Sequence, residues 1–167
     1  GCRARKIHSR AINAFDSINV PPIGHLEGGE IRYTDLKTNK RKQSGLKLTT
    51  GLDANVVLVK LNPAMTEGAL ARFLEGASGA VLEGTGIGHI RTGLQEAVAT
   101  FGQPTVMSTQ AIYGGEHLGL YDADKAILEI GNIIPGRDMN SETALVKLMW
   151  ALEQKGDVRS LMLTNIA

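Results

Sequence analysis

The stretch AVLEGTGIGHIRTGL, residues 80–94, decides how the chain is read. It opens as a short apolar run and breaks at Gly84. It then passes through Gly86 and Gly88 to His89, and apolar character resumes near Leu94. A short apolar run ended by glycine is the pattern of a buried strand. The glycines let the backbone turn sharply after it, at the carboxyl edge where open α/β sheets bind ligands.

Working outward, Val56-Val57-Leu58-Val59-Lys60-Leu61 is a second such run, rich in β-branched residues and stopped by Pro63. It predicts a strand buried on both faces. Thr66 can cap a following helix that carries Leu70, Phe73, Leu74 and Ala77 at helical spacing. Beyond the glycine loop, Leu94, Ala97, Val98 and Phe101 repeat that spacing, and Pro104-Thr105-Val106-Met107 starts a third strand. Residues 122–130 predict a helix ended by Gly131 at positive φ. Asn140-Ser141 caps a helix with Leu145, Leu148, Met149 and Leu152 along one stripe, and Asp157 caps a last one with Val158, Leu161 and Met162. Strands alternating with helices over short connections predict an α/β fold with a parallel sheet, Rossmann-like and three-layered.

The start of the chain is of another kind. Residues 14–23 and 26–33 predict extended pieces or a hairpin around Gly28-Gly29, and Pro21-Pro22 excludes helix there. The stretch 35–51 is polar, basic and rich in Thr and Gly, as linkers are. The expected organisation is therefore a piece of an earlier domain at 1–34, a linker at 35–54, and an α/β domain at 55–167.

With 167 residues the chain has room for one ordinary core. Its 18 basic and 17 acidic residues leave a net charge of +1, which does not single out nucleic acid as a partner. Locally, Arg3, Arg5, Lys6 and Arg10 crowd the start, and Lys37, Lys40, Arg41, Lys42 and Lys47 form a second basic run. That run reads as a solvated loop or as a contact for an anionic partner such as RNA. Cys2 is the sole cysteine, so no intrachain disulfide forms, which fits a reducing, cytoplasmic setting. No apolar run approaches the roughly 18 residues of a membrane span, and the basic start lacks a signal peptide's apolar segment. An aromatic content of 4% argues against a stacking platform for single-stranded nucleic acid.

A dinucleotide fingerprint needs G-x-G-x-x-G and an acidic residue at the end of the next strand. Here the spacing is G-x-G-x-G, and the next strand ends in Met107-Ser108-Thr109. No P-loop Gly-Lys-Ser/Thr is present either. His8, His25, His89 and His117 lack the spacing of metal ligands, so no metal is expected. His89 stands out among them because it follows the glycine loop. No G-x-S-x-G elbow occurs, and Cys2 has no obvious basic partner in a nucleophile motif, so the chain's own residues offer no strong nucleophile. On its own residues, Lys6 reads as a surface lysine.

Larger blocks carry a resemblance. GCRARKIHSRAINAFDSINVPPIG, residues 1–24, resembles the closing segment of the large domain of asparaginase-type amidohydrolases. GAVLEGTGIGH (79–89), PTVMSTQAIYGG (104–115) and IIPGRDMNSETALVKLMWAL (133–152) resemble their small C-terminal domain. Within that family, VRSLMLTNIA (158–167) and SINVPPIG (17–24) are nearer to the D subunits of archaeal glutamyl-tRNA(Gln) amidotransferases than to free-standing asparaginases. The resemblance implies the small C-terminal domain of the asparaginase fold, preceded by a short tail of the N-terminal domain.

It also implies a threonine-dependent amidase, in which a Thr attacks a side-chain amide, a Thr–Asp–Lys group moves protons, and backbone N–H groups hold the oxyanion. The family's T-G-G-T and H-G-T-D-T motifs do not occur in these 167 residues. Its relay lysine stands nine residues before a Phe leading into Ser-x-Asn; here Lys6 precedes Phe15 by nine, and Ser17-Ile18-Asn19 follows. By the same resemblance Gly88 and His89 lie on a loop that reaches toward the substrate of a neighbouring subunit, which requires a homodimer. The implied reaction is glutamine hydrolysis, with the ammonia passed to an activated glutamyl group so that Glu-tRNA(Gln) becomes Gln-tRNA(Gln). This chain would hold no cofactor, because a partner E subunit would use ATP and Mg. A fragment of a free-standing type I L-asparaginase is the alternative, with asparagine as substrate. A non-catalytic nucleotide-binding or scaffolding module is the reading from another class.

Overall fold

The computed structural model describes residues 2–35, 48–120 and 122–165. The chain divides into two units, one spanning Gly1–Thr49 and the other Thr50–Ala167. The basic run at 37–47 and most of the expected linker lie outside the described residues.

Among its described residues, the first unit holds two antiparallel pairs. Strand β1 (Ala4–Lys6) pairs with β2 (Phe15–Ser17), and β3 (Gly24–Glu27) pairs with β4 (Glu30–Tyr33). Gly28 and Gly29, at φ 58° and 86°, make the tight turn between β3 and β4. Both positive angles suit a type I′ hairpin, which matches strand twist and favours glycine. The expected hairpin is present. Ala14 and Ile18 are buried, while Ile12, Phe15, Leu26, Ile31 and Tyr33 are exposed.

The second unit is the expected three-layer α/β fold. Its strands β5 (Val56–Lys60), β6 (Gly79–Gly84), β7 (Thr105–Thr109) and β8 (Ile133–Pro135) form one parallel sheet in the order β5-β6-β7-β8. Helix α1 (Glu67–Leu74) joins the first two strands, α2 (Gln95–Phe101) the next two, and α3 (Asp122–Leu128) the last two. Right-handed crossovers that all step the same way must lie on one face. Accordingly Leu70, Leu74, Leu94, Ala97, Val98 and Ile127 pack on Val59, Ala80, Leu82, Met107 and Ile133. The alternate strand residues Val81, Val106 and Ile134 face the other way. There they are covered by α4 (Ser141–Glu153) and α5 (Val158–Leu163) through Ala144, Leu148, Ala151 and Met162.

The three expected caps are in place. Thr66 accepts the Ala69 N–H at 3.2 Å, Asn140 the Thr143 N–H at 2.8 Å, and Asp157 the Ser160 N–H at 2.8 Å. Each satisfies an N–H that has no partner within its own helix.

Four expectations change. Strand β5 is not buried on both faces: it forms the sheet edge, and Leu58 is 41% exposed. Phe73 is 57% exposed on the outer side of α1, while Leu70 and Leu74 hold the core. Gly131 does not take positive φ. Helix α3 ends at Leu128, and turns closed by Ile130 N–H to Ile127 O and Ile133 N–H to Ile130 O lead directly into β8. That strand is the fourth change. Three residues ending in proline gave it no periodicity to detect, yet Ile133 and Ile134 supply one residue to each core.

Candidate functional site

The carboxyl edge of the sheet gathers the loops that follow β6, β7 and β8. The loop after β6 closes on itself: Gly88 N–H and His89 N–H both donate to Thr85 O, at 3.0 and 2.8 Å, and Thr85 N–H returns to His89 O at 3.1 Å. Gly86 and Gly88 make this possible at φ 55° and 103°. Both angles lie in the region that side chains with a Cβ avoid. Because the N–H groups of Thr85, Gly88 and His89 are engaged inside the loop, they are not aimed at a phosphate. Seven residues and a 3₁₀ turn (Thr92–Leu94) also separate β6 from the first full turn of α2. A dinucleotide cradle instead has the helix N-terminus directly at the loop.

The neighbouring strand fixes this loop from the side. Thr109 Oγ1 donates to Gly86 O and accepts the Ala111 N–H at 3.0 Å. Gln110 N–H reaches Gly84 O at 2.9 Å, and its side-chain amide donates to Glu83 O at 2.9 Å and to Leu61 O. One glutamine thus ties the ends of β5 and β6. His117 N–H donates to Ile87 O at 2.9 Å, and its exposed ring sits 3.0 Å from Gly114 O.

Between these loops lies a buried carboxylate. Glu116 is 4% exposed. Its Oε2 accepts the Arg137 N–H at 2.9 Å, its Oε1 accepts the Leu118 N–H, and its own N–H donates to Arg137 O at 2.6 Å. Hydrogen bonds to an ionised acceptor are the strong kind, and they offset the cost of burying the charge. A second buried acid, Glu83, pairs with the exposed Lys60 at 3.3 Å across the β5–β6 register.

Of the residues marked by sequence, Gly88 and His89 are brought together here. Gly88 is buried against Glu116, and His89 is half-buried with its Nδ1 inside the fold. Lys6 belongs to the first unit. It is exposed at the end of β1, directly opposite Phe15 in the antiparallel register, with its ammonium 6.0 Å from the ring centroid. The nine-residue interval noted in the sequence is thus the interval that closes this strand pair. Glu116 and the backbone of His117 were missed: they fall just past the PTVMSTQAIYGG block, and nothing in a lone acid after two glycines marks it as buried. Among the described residues, no group of three or more His, Cys, Asp or Glu comes together as a metal site.

Against known proteins, the description of the glutaminase/asparaginase C-terminal domain matches residues 55–162. The chain belongs to the glutaminase/asparaginase C-terminal domain family. The family match covers the parallel sheet and helices α1 to α5 of the described residues, up to Met162 in α5. An L-asparaginase of Thermococcus kodakarensis is 39% identical over all of this chain and 52% of its own length. The D subunits of the glutamyl-tRNA(Gln) amidotransferases of Methanobrevibacter smithii and Pyrococcus abyssi are 35% and 36% identical, over all of this chain and 40% of theirs. The solved structure of the thermostable T. kodakarensis L-asparaginase superposes with a TM-score of 0.86 over 99% of this chain and 52% of its own. The L-asparaginase I of Vibrio cholerae, 24% identical, shares the fold at a TM-score of 0.84. The chain therefore spans about half the length, or less, of the relatives it matches. No helix among the described residues is long and apolar enough to cross a membrane.

Proposed function

We propose that this chain is the C-terminal part of the glutaminase subunit of a tRNA-dependent amidotransferase. One observation carries the reading: a family domain at 55–162 is preceded by a segment that also aligns with the D-subunit relatives, in a chain covering 40% of their length. The segments SINVPPIG (17–24) and VRSLMLTNIA (158–167) favour the amidotransferase over a free-standing L-asparaginase, which is the second reading and is supported by the 39% identity to one.

In this reading the remaining half of the catalytic unit brings the Thr nucleophile. Its Oγ attacks the amide carbon of glutamine, the C–N bond breaks, and nitrogen leaves as ammonia after taking a proton. Water then cleaves the acyl ester to give glutamate. Lys6 is the relay lysine. Covered by that other half and set beside a carboxylate, an ammonium can move protons in a way a solvated one does not. Loop 84–89 carries Gly88 and His89 toward the substrate of a neighbouring subunit in a homodimer. The ammonia passes to Glu-tRNA(Gln) with the E subunit, which uses ATP and Mg; this chain holds no cofactor and works in the cytoplasm.

The test is ammonia release from glutamine by the complete catalytic unit, with and without Lys6→Ala. Loss of a proton relay lowers kcat by roughly 10²-fold or more. A Lys6→Ala enzyme with unchanged kcat would remove Lys6 from the mechanism. The 167-residue chain by itself, which lacks both threonine motifs, should release no ammonia.

A further inference from the structure

We propose that Glu116 is a positioning residue: it sets the conformation of loop 84–89 and through it the affinity for the amide substrate. Three contacts carry the inference. First, Gly88 rests on the stem of Glu116: a Cβ built at Gly88 would lie 2.8 Å from Glu116 Cγ. Second, the next residue, His117, donates its N–H to Ile87 O at 2.9 Å, so the backbone on both sides of this contact is shared. Third, the far end of the side chain cannot shift, because Arg137 N–H and Leu118 N–H each hold one carboxylate oxygen.

The anchor behind Glu116 is itself rigid. Arg137 takes φ 55°, unusual for a residue with a side chain, and a Cβ at Gly115 would lie 2.6 Å from Arg137 O. Backbone in that state persists only where its surroundings over-determine it. The loops after β6, β7 and β8 thus all meet the Glu116 side chain or its backbone, and His89 is the residue next to the contact point.

Two donors facing two oxygens define what the site tolerates. A carboxylate accepts both N–H groups. The isosteric amide of Glu116→Gln accepts one and turns its NH₂ toward the other, two donors in opposition. An aspartate keeps the charge but is one methylene short, so it reaches one donor and withdraws the stem from Gly88.

The kinetic arm of the test rests on the amide-hydrolysis reading; the structural arm does not. In the complete catalytic unit, Glu116→Gln should raise KM for the amide by roughly tenfold with kcat within about twofold, the signature of lost ground-state and transition-state binding alike. Amide hydrogen exchange should rise at Leu118 and Arg137 and also at Gly88 and His89. Met162→Ala, in the opposite core, serves as a control that lowers stability without touching the loops, and it should leave KM unchanged.

Unchanged KM in an active Glu116→Gln enzyme overturns the proposal, as does an equal rise in KM with Met162→Ala. Faster exchange confined to Leu118 and Arg137 overturns it too. If the wild type hydrolyses neither glutamine nor asparagine, the functional reading fails, and exchange at Gly88 and His89 alone decides this one. If Glu116→Gln does not fold, Gly88→Ala presses on the same stem from the loop side. Faster exchange at Leu118 and Arg137 then supports the lock, and unchanged exchange there overturns it.

Discussion

Ser108 and Ser141 meet at the sheet–helix boundary with their hydroxyl oxygens 3.2 Å apart, and both residues are 1% exposed. Ser108 lies near the end of β7 and Ser141 is the first residue of α4, so the bond ties the start of that helix to the sheet. Removing either hydroxyl leaves the other buried with a lost partner, at about 1–2 kcal/mol. The double variant Ser108→Ala/Ser141→Ala should cost less than the sum of the singles by about 1 kcal/mol. Urea unfolding followed by the fluorescence of Trp150, in α4, reads this directly. Strict additivity would show that the two hydroxyls do not act as a pair.

A contrast on α1 separates pattern from packing. Phe73 and Leu74 are neighbours in the sequence, but Phe73 is exposed and Leu74 lies in the core. Leu74→Ala should destabilise by about 2–5 kcal/mol through the cavity it leaves, whereas Phe73→Ala should change stability by less than about 0.5 kcal/mol. The same urea titration checks both, and a large loss at Phe73 would place a partner over that face.

Asp157 makes stability depend on pH. The Ser160 hydroxyl, and after it the Ser160 N–H, hold its carboxyl below the ordinary carboxylate value. A group whose pKa is lower in the folded state stabilises fully above the unfolded value, near about 4. Its contribution is lost as pH falls through the folded value. Asparagine caps a helix as well as aspartate does but carries no charge. The stability advantage of the wild type over Asp157→Asn should therefore shrink as pH drops below about 4. Thermal melts at several pH values measure it, and a constant difference would show that the cap does not titrate.

The fold was legible wherever burial imposes a period. Strands β6 and β7 and the stripes of α1, α2, α4 and α5 announce themselves because each side chain must choose a core. Strand β5 misled because an edge strand flanked by turn signals looks like a buried one when read alone, and Leu58 carries no mark of its exposure. Strand β8 and the end of α3 were missed because three residues and a turn carry no repeat. At the candidate site, Gly88 and His89 were marked by resemblance, His89 also because it follows the glycine loop. Glu116 was not, because its environment comes from Arg137, twenty-one residues away on another strand's loop. Lys6 was likewise marked by resemblance, and the structure adds that its spacing from Phe15 is a strand register.

The proposed role in glutamine-dependent amidation of tRNA stands or falls on ammonia release. The complete catalytic unit should be supplied with glutamine and with asparagine, each with and without Glu-tRNA(Gln) and an E subunit, and ammonia release followed. Glutamine hydrolysis that rises on adding Glu-tRNA(Gln) and the E subunit is the predicted result. Faster hydrolysis of asparagine, indifferent to tRNA and partner, would contradict it and assign the chain to a free-standing asparaginase.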